Sequence, residues 1–330
     1  MLDSRNSNWE SVLRQDPRPS LLEYGNQAVE WFTRRDLMEQ DPGPIESLWE
    51  MSEPARLLRK QGADGRWRYP PSDERIRSRD GYDQLETFRS LLHLVHKFGM
   101  DRRSEAIVSG AEFLFSSQTD EGDFRGIYGA QYSPNYSAAI MEVLVRSGYV
   151  DDSRIRKGMD WLLSTRQDDG GWAIPFRTAG GSISDFFMDK GMGTVQGDRS
   201  KPSSHLITGI VLRAFAACPR YHHRTEIREA GELLKSRFFK RDKYPDRVAP
   251  SYWENITFPF WQTDILSAMD ALSLIGFGMG DEDIRRGLKW LIDDQGEDGL
   301  WRSRYAKGKD PNIHHWVSLA ACRVIKRLVH

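Results

Sequence analysis

One pattern recurs along this chain of 330 residues and limits the architectures open to it. Ile107-Val-Ser-Gly110-Ala-Glu-Phe113-Leu114, Ile155-Arg-Lys-Gly158-Met-Asp-Trp161-Leu162 and Ile284-Arg-Arg-Gly287-Leu-Lys-Trp290-Leu291 share I-x-x-G-x-x-aromatic-L. Ile227-Arg-Glu-Ala230-Gly-Glu-Leu233-Leu234 is a weaker copy. Apolar residues at this spacing predict amphipathic helices. A glycine in mid-helix costs up to ~1 kcal/mol, so its return in each copy predicts that a neighbouring helix passes close by.

A second pattern closes these helices. Gln61-Gly-Ala-Asp-Gly65-Arg-Trp67, Gln118-Thr-Asp-Glu-Gly122-Asp-Phe124, Gln167-Asp-Asp-Gly170-Gly171-Trp172 and Gln295-Gly-Glu-Asp-Gly299-Leu-Trp301 each read Q, a short spacer, G, x, aromatic. We expect the Gln amide to bond backbone groups freed at the helix end, the Gly to take a left-handed turn, and the ring to fold back over the helix. The gap from Trp172 to Trp301 accommodates a degenerate copy near Lys240–Tyr244. Helices of lower charge follow each clasp, at Asp83–Phe98, Asn135–Ser147, His205–Ala217, Trp261–Ile275 and His314–Leu328. Leu22–Met38 supplies a sixth, ahead of the hairpin helix Ile45–Lys60, and a short helix around Trp9–Arg14 its outer partner. Alternating pairs with tight turns at one end and long loops at the other predict an all-α fold, an (α/α)6 toroid with six inner and six outer helices. The expected layout is one domain over 1–330, with residues 1–19 closing the ring. An open helical solenoid is the alternative.

Composition removes several classes of function. The 47 Lys+Arg balance 48 Asp+Glu, so net charge nominates no polyanionic partner and no nucleic acid. Two cysteines, Cys218 and Cys322, make neither a disulfide framework nor a cysteine metal site. No apolar run approaches the ~18–20 residues of a membrane span, and the opening MLDSRNSNWE lacks the order of a secretory signal. The expectation is a cytoplasmic protein without a membrane span, peripheral membrane contact and oligomeric state being left open.

In such a ring the starts of the inner helices surround one mouth. The candidates there are Tyr82, Asp83 and Glu86, then Asn135 and Tyr136, His205, Trp261 and Asp264, and finally His314, His315 and Trp316. Six helix N-termini favour an anionic group at this end, where a ligand is expected to enter. Asp83, Glu86 and Asp264 are the candidate catalytic acids. Asp264 is expected one turn into its helix amid Phe258, Phe260 and Trp261, as a buried acid facing the cavity. Helix capping is the competing account of Asp80 or Asp83, and pairing with a loop arginine that of Asp264. The loop Ala179–Gly193, with its glycines and its Phe and Met side chains, reads as a lid or as plain irregular chain. Asp293, Asp294 and Glu297 overlap a clasp and are expected to hold no metal.

The repeated clasp resembles the QW motif of squalene and oxidosqualene cyclases, and the repeat plan that of the terpenoid cyclase/protein prenyltransferase superfamily, over about residues 20–329. Small single-toroid proteins with prenyltransferase/squalene oxidase repeats are the most similar. The resemblance implies an isoprenoid or other hydrophobic ligand in a central cavity, and leaves open whether the chain is catalytic. Class II cyclisation uses D-x-D-D to keep an acid protonated, and this chain has no D-x-D-D. Protein prenyltransferases hold zinc through an Asp-x-Cys pair and a later His; the matching positions here are Asn255 and Thr257, whose neutral oxygens are poor zinc ligands. No metal and no cofactor are expected. A catalytically silent binding module is the second reading. A carbohydrate-active (α/α)6 enzyme, with Asp83, Glu86 and Asp264 as its carboxylates, is the third.

Overall fold

The computed structural model describes residues 9–69, 79–180, 193–244, 248–304, 310 and 312–329, with Arg79 and Asp80 described by backbone alone. The loop residues 181–192 and the Asp80 side chain, both singled out above, lie outside the described residues.

Twelve of the thirteen α-helices among these residues, all but the short Pro175–Thr178, alternate between two rings. The outer ones are α1 (Arg18–Glu23), α3 (Ser52–Leu58), α5 (Glu105–Phe115), α7 (Ser153–Ser164), α9 (Thr225–Ser236) and α11 (Glu282–Asp293). The inner ones are α2 (Gln27–Phe32), α4 (Arg79–Phe98), α6 (Pro134–Leu144), α8 (His205–Ala216), α10 (Ile265–Leu274) and α12 (Ile313–Val329). Each inner helix packs on the next, α2 on α4, α4 on α6, α6 on α8, α8 on α10 and α10 on α12, and α12 returns to α2. The ring is therefore closed, and the protein is an all-α toroid. Its seam is polar: Gln295 Nε2 donates to the Gln15 carbonyl at 2.8 Å, and the Arg14 amide donates to Gln295 Oε1 at 2.9 Å.

Local chemistry explains the elements. Asn26, Asp152, Ser204 and Asp281 cap α2, α7, α8 and α11 through their side chains. The mid-helix glycines sit where inner helices press closest. A Cβ on Gly158 would stand 2.3 Å from Met141 Sδ, and one on Gly287 2.8 Å from Met269 Sδ. The clasp rings Trp67, Phe124, Trp172 and Trp301 are buried, and three of them donate Nε1–H to a carbonyl ten residues back, Leu57, Leu162 and Leu291.

Several boundaries differ from expectation. Leu22–Met38 is not one helix: Gly25, at φ 76°, breaks it, Asn26 restarts it, and Thr33–Leu37 continues as a π turn. Ile45–Lys60 divides into a 3-10 turn, Ile45–Leu48, and α3. The amides of Gln61, Gln118 and Gln295 bond their own turn and the neighbouring repeat rather than the helix end, Gln61 Nε2 reaching the Gly65 and Ala106 carbonyls, both at 2.8 Å, whereas Gln167 Nε2 donates to the Asp198 and Lys201 carbonyls. The fifth clasp takes its ring from Trp253, whose Nε1–H meets the Lys240 carbonyl at 3.1 Å, while the Tyr244 hydroxyl donates to the Pro202 carbonyl.

Candidate functional site

The clasps fix what each inner helix presents at its start. The backbone N–H of the clasp ring residue donates to a hydroxyl in the following inner helix: Trp67 to Thr87 at 2.9 Å, Phe124 to Ser137 at 3.0 Å, Trp172 to Thr208 at 3.0 Å and Trp301 to Ser318 at 2.8 Å. Four residues before each hydroxyl stand Asp83, Ser133, Ser204 and His314. Asp83 Oδ1 accepts the Tyr69 N–H at 2.8 Å and His314 Nδ1 the Ser303 N–H at 3.1 Å, each two residues past its clasp ring. In α10 the corresponding positions are Asp264 and Ala268. No hydroxyl waits there.

Asp264 is the N-cap of α10, so the helix begins at Ile265 and not at Trp261. Its Oδ1 accepts the Ser267 N–H at 2.7 Å, and Ser267 Oγ accepts the Asp264 N–H at 2.9 Å. Oδ2 is buried without a hydrogen-bond partner. Burial pushes the carboxyl up to about 7, against the Ser267 bonds, the Arg213 charge and the Thr257 amide, which pull it down. Asp264 lines a cleft of about 260 Å³ with Phe258, Trp261 and Gln262. Trp261 and Gln262 also line a second cleft, of about 180 Å³, with Phe88, Asn135, Tyr136 and Ile210. The Trp261 ring lies 5.5 Å from Phe88 and under the Arg89 guanidinium at 5.1 Å. Tyr136 packs on Tyr128 at 5.1 Å, and burial raises its phenol above the ordinary value.

The remaining candidates do not join this group. Asp83 is buried under the clasp arginines, 3.1 Å from Arg68 Nη1 and 3.7 Å from Arg66 Nη1, which makes it a strut between clasp and helix. Glu86 lies in a lateral groove with Glu53, Lys60 and Arg89, 3.8 Å from Arg89 Nη1. Tyr82 packs against Tyr69. His205 stands 4.6 Å from the Trp253 ring and 3.7 Å from Asp242, and burial lowers its pKa although Asp242 opposes this. His315 stacks on Tyr24 at 3.5 Å, toward the ring seam. Trp316 is buried inside the ring, stacked on Phe258 at 5.9 Å. Among the described residues no three His, Cys, Asp or Glu side chains form a group able to hold a metal.

The ring's interior is filled by the segment 255–263. Arg213 of α8 holds it through the Phe260 and Gln262 carbonyls at 3.4 and 3.2 Å, and pairs with Glu142 of α6 at 3.1 Å, both side chains being buried. This plug separates the two clefts from a much larger basin of about 1110 Å³ at the opposite end, lined by Arg35, His96, Arg146 and Arg323 among others. The starts of the inner helices, where a ligand is expected to enter, thus hold two clefts, and the larger basin among the described residues lies at the other end. Arg35, Arg146 and Arg323 are not among the sequence-predicted site residues; Arg35 and Arg146 lie in π turns that follow inner helices, and Arg323 lies within α12.

Structural likeness is broad in coverage. A protein from Actinoplanes is similar at 15% identity over 87% of this chain and 88% of its own, with a TM-score of 0.41. A variant of the type II terpene cyclase MstE from Scytonema, in complex with geranylgeranyl dihydroxybenzoate, is similar at 12% identity over 86% and 95%, TM-score 0.37. The same cyclase without ligand is similar at 15% identity over 87% and 98%, TM-score 0.29. No described helix is long and apolar enough to cross a membrane. Residues 85–191, about a third of the chain, which run from α4 past the clasp of Trp172, match the model of the squalene-hopene cyclase C-terminal domain.

Proposed function

We propose that this toroid binds a hydrophobic, isoprenoid-type molecule in the clefts on either side of Trp261, with Asp264 as the polar group that meets it. The observation behind this reading is that Asp264, a residue lining an aromatic cleft, keeps its Oδ2 buried without a hydrogen-bond partner. At the matching positions of two other repeats, Asp83 and His314 are occupied with backbone amides. An acid raised to about 7 is half neutral near neutrality and can donate a proton to a double bond set against it. The faces of Phe88 and Trp261 would stabilise positive charge formed nearby. Each cleft is smaller than the ~300–1,000 Å³ of a typical drug-sized site, which favours a short isoprenyl chain spanning both.

Native mass spectrometry of the freshly purified chain, followed by tryptophan-fluorescence titration with geraniol and farnesol, tests the proposal. Saturable binding that Trp261→Ala removes is the expected result, with Asp264→Asn retaining binding but abolishing any conversion of the alcohols. Absence of a co-purified lipid together with no saturable binding of either alcohol would overturn it. One observation favours the silent module as the second reading: the ring interior is plugged by the 255–263 segment and the buried Arg213–Glu142 pair.

A further inference from the structure

The basin at the far end of the ring is built differently from the clefts around Trp261. Six cations line it, Arg35, Arg103, Arg146, Arg323, Lys326 and Arg327, against four carboxylates. Those carboxylates are committed: Asp36 pairs with Arg35 and Arg323, Asp270 with Arg327, and Glu46 and Asp101 with Arg103. Arg35 and Arg146 differ from the rest. Each bonds a carboxylate through Nε alone, Arg35 to Asp36 and Arg146 to Glu142, and their Nη atoms have no hydrogen-bond partner among the described residues. Arg35 also lies 4.9 Å over both the Trp31 and Phe32 rings, which holds its guanidinium plane in place. Deeper in the basin Val95, Phe258, Phe260 and Ala320 form a buried apolar floor. His96 shares that floor, with its Nε2 shut off from solvent and unbonded.

Cations in the last turn of a helix ordinarily offset its carbonyl end. That role needs charge near the carbonyls; it does not require two guanidinium forks lining an open cavity above an apolar floor. A guanidinium fork matches the two oxygens of a carboxylate or phosphate. We propose that the basin binds an amphiphilic oxyanion, its phosphate or carboxylate head at Arg35 and Arg146 and its apolar body on Val95, Phe258 and Phe260. The inference goes beyond the reading of the Trp261 clefts and shares only Phe258 with them.

Calorimetric titration of the full chain with octyl phosphate, octanoate, inorganic phosphate and octanol tests it. Both octyl anions should bind, weakening as salt is added, and the two head groups alone distinguish a phosphate from a carboxylate ligand. Inorganic phosphate and octanol should bind at least about tenfold more weakly, since each supplies half of the contacts. Arg35→Gln and Arg146→Gln should each lower octyl-anion affinity about tenfold, whereas Arg302→Gln, at the clasp end, should leave it unchanged. Should the glutamine variants fail to fold, Arg146→Lys keeps the charge and removes the fork, and a severalfold loss is expected. Co-sedimentation with phosphatidylcholine vesicles containing phosphatidic acid separates a lipid head group from a free amphiphile, either of which carries the proposed chemistry. Equal binding of octyl phosphate and inorganic phosphate, affinity untouched by the arginine changes, or binding of an oligoglutamate peptide in place of the octyl anions would overturn the proposal. Geraniol binding at Trp261 is unaffected by the arginine variants, so failure here is distinct from failure there.

Discussion

Four clasps of this ring carry one set of hydrogen bonds and the fifth carries another. At Trp67, Phe124, Trp172 and Trp301 the ring residue's amide is tied to a Thr or Ser of the next inner helix. At Trp253 the corresponding helix offers Ala268 and no hydroxyl, and the tryptophan keeps the kind of indole bond the other tryptophans also make, here to the Lys240 carbonyl. The ring at the fifth position is buried, as the others are. What changes is the polar wiring around it, and the acid at the head of α10 is left with one oxygen dry. A repeat that gives up one of its structural bonds makes room for a group with unspent chemistry.

That contrast can be broken most directly through the rings. Trp301→Ala should cost about 3–5 kcal/mol, because a fully buried indole with a hydrogen-bonded Nε1 is removed at the ring's seam. Trp253→Ala should cost about as much, because it too removes a fully buried indole with a hydrogen-bonded Nε1, and both substitutions leave the backbone amide in place. Urea unfolding of both variants is the measurement; a much smaller loss for Trp253→Ala would mean that the fifth ring packs less tightly than the other four.

Asp264 gives the next largest effect, and it depends on pH. Its folded pKa lies above its unfolded value, so the fold favours the neutral acid. The associated stability is fully present below about pH 4 and is lost as pH rises through about 7. Asp264→Asn keeps an oxygen for the Ser267 amide and removes the charge. It should therefore stabilise the protein at pH 8 by about 2–4 kcal/mol and change little at pH 4. Denaturant curves at the two pH values check this, and a variant destabilised equally at both would show that Asp264 is an ordinary ionised cap.

Ser318→Ala leaves the buried Trp301 amide without its acceptor and should cost about 1–3 kcal/mol. Ser267→Ala, in the fifth repeat, removes one half of a capping box and should cost about 1 kcal/mol. It should also move the Asp264 titration further up, since the Ser267 hydroxyl helps to hold it down. NMR titration of the carboxyl resolves the direction, and a downward shift would contradict the assignment of these bonds.

Much of the ring was legible in advance because its cues are local. Apolar spacing marks Ile155–Leu162 as a helix, and an Asp after a Gly marks helix starts at Asp151, one residue before the actual cap Asp152, and at Asp281, which is the cap itself. Even the break in Leu22–Met38 had a cue in Gly25-Asn26, a left-handed glycine followed by a good N-cap. The site was less legible. Trp261 looked like the head of a helix because apolar residues recur closely from Phe258 to Ile275, yet residues 255–263 enter the ring as a plug held by Arg213. Asp83 and Asp264 look alike in the sequence, as acids at the entrance of inner helices. Only one of them meets two arginines.

By itself the sequence determined the repeating unit, its turns and the alternation of helices, since each of these rests on interactions within a stretch of about fifteen residues. The tertiary structure alone decided which acid is left dry and which end of the ring holds the larger basin. Burial at a point sums contributions from helices far apart in the chain: Arg213 meets Glu142 and Arg323 meets Asp36 only once the ring has closed. No local pattern records that sum, because desolvation and pairing belong to the assembled surface and not to any one segment.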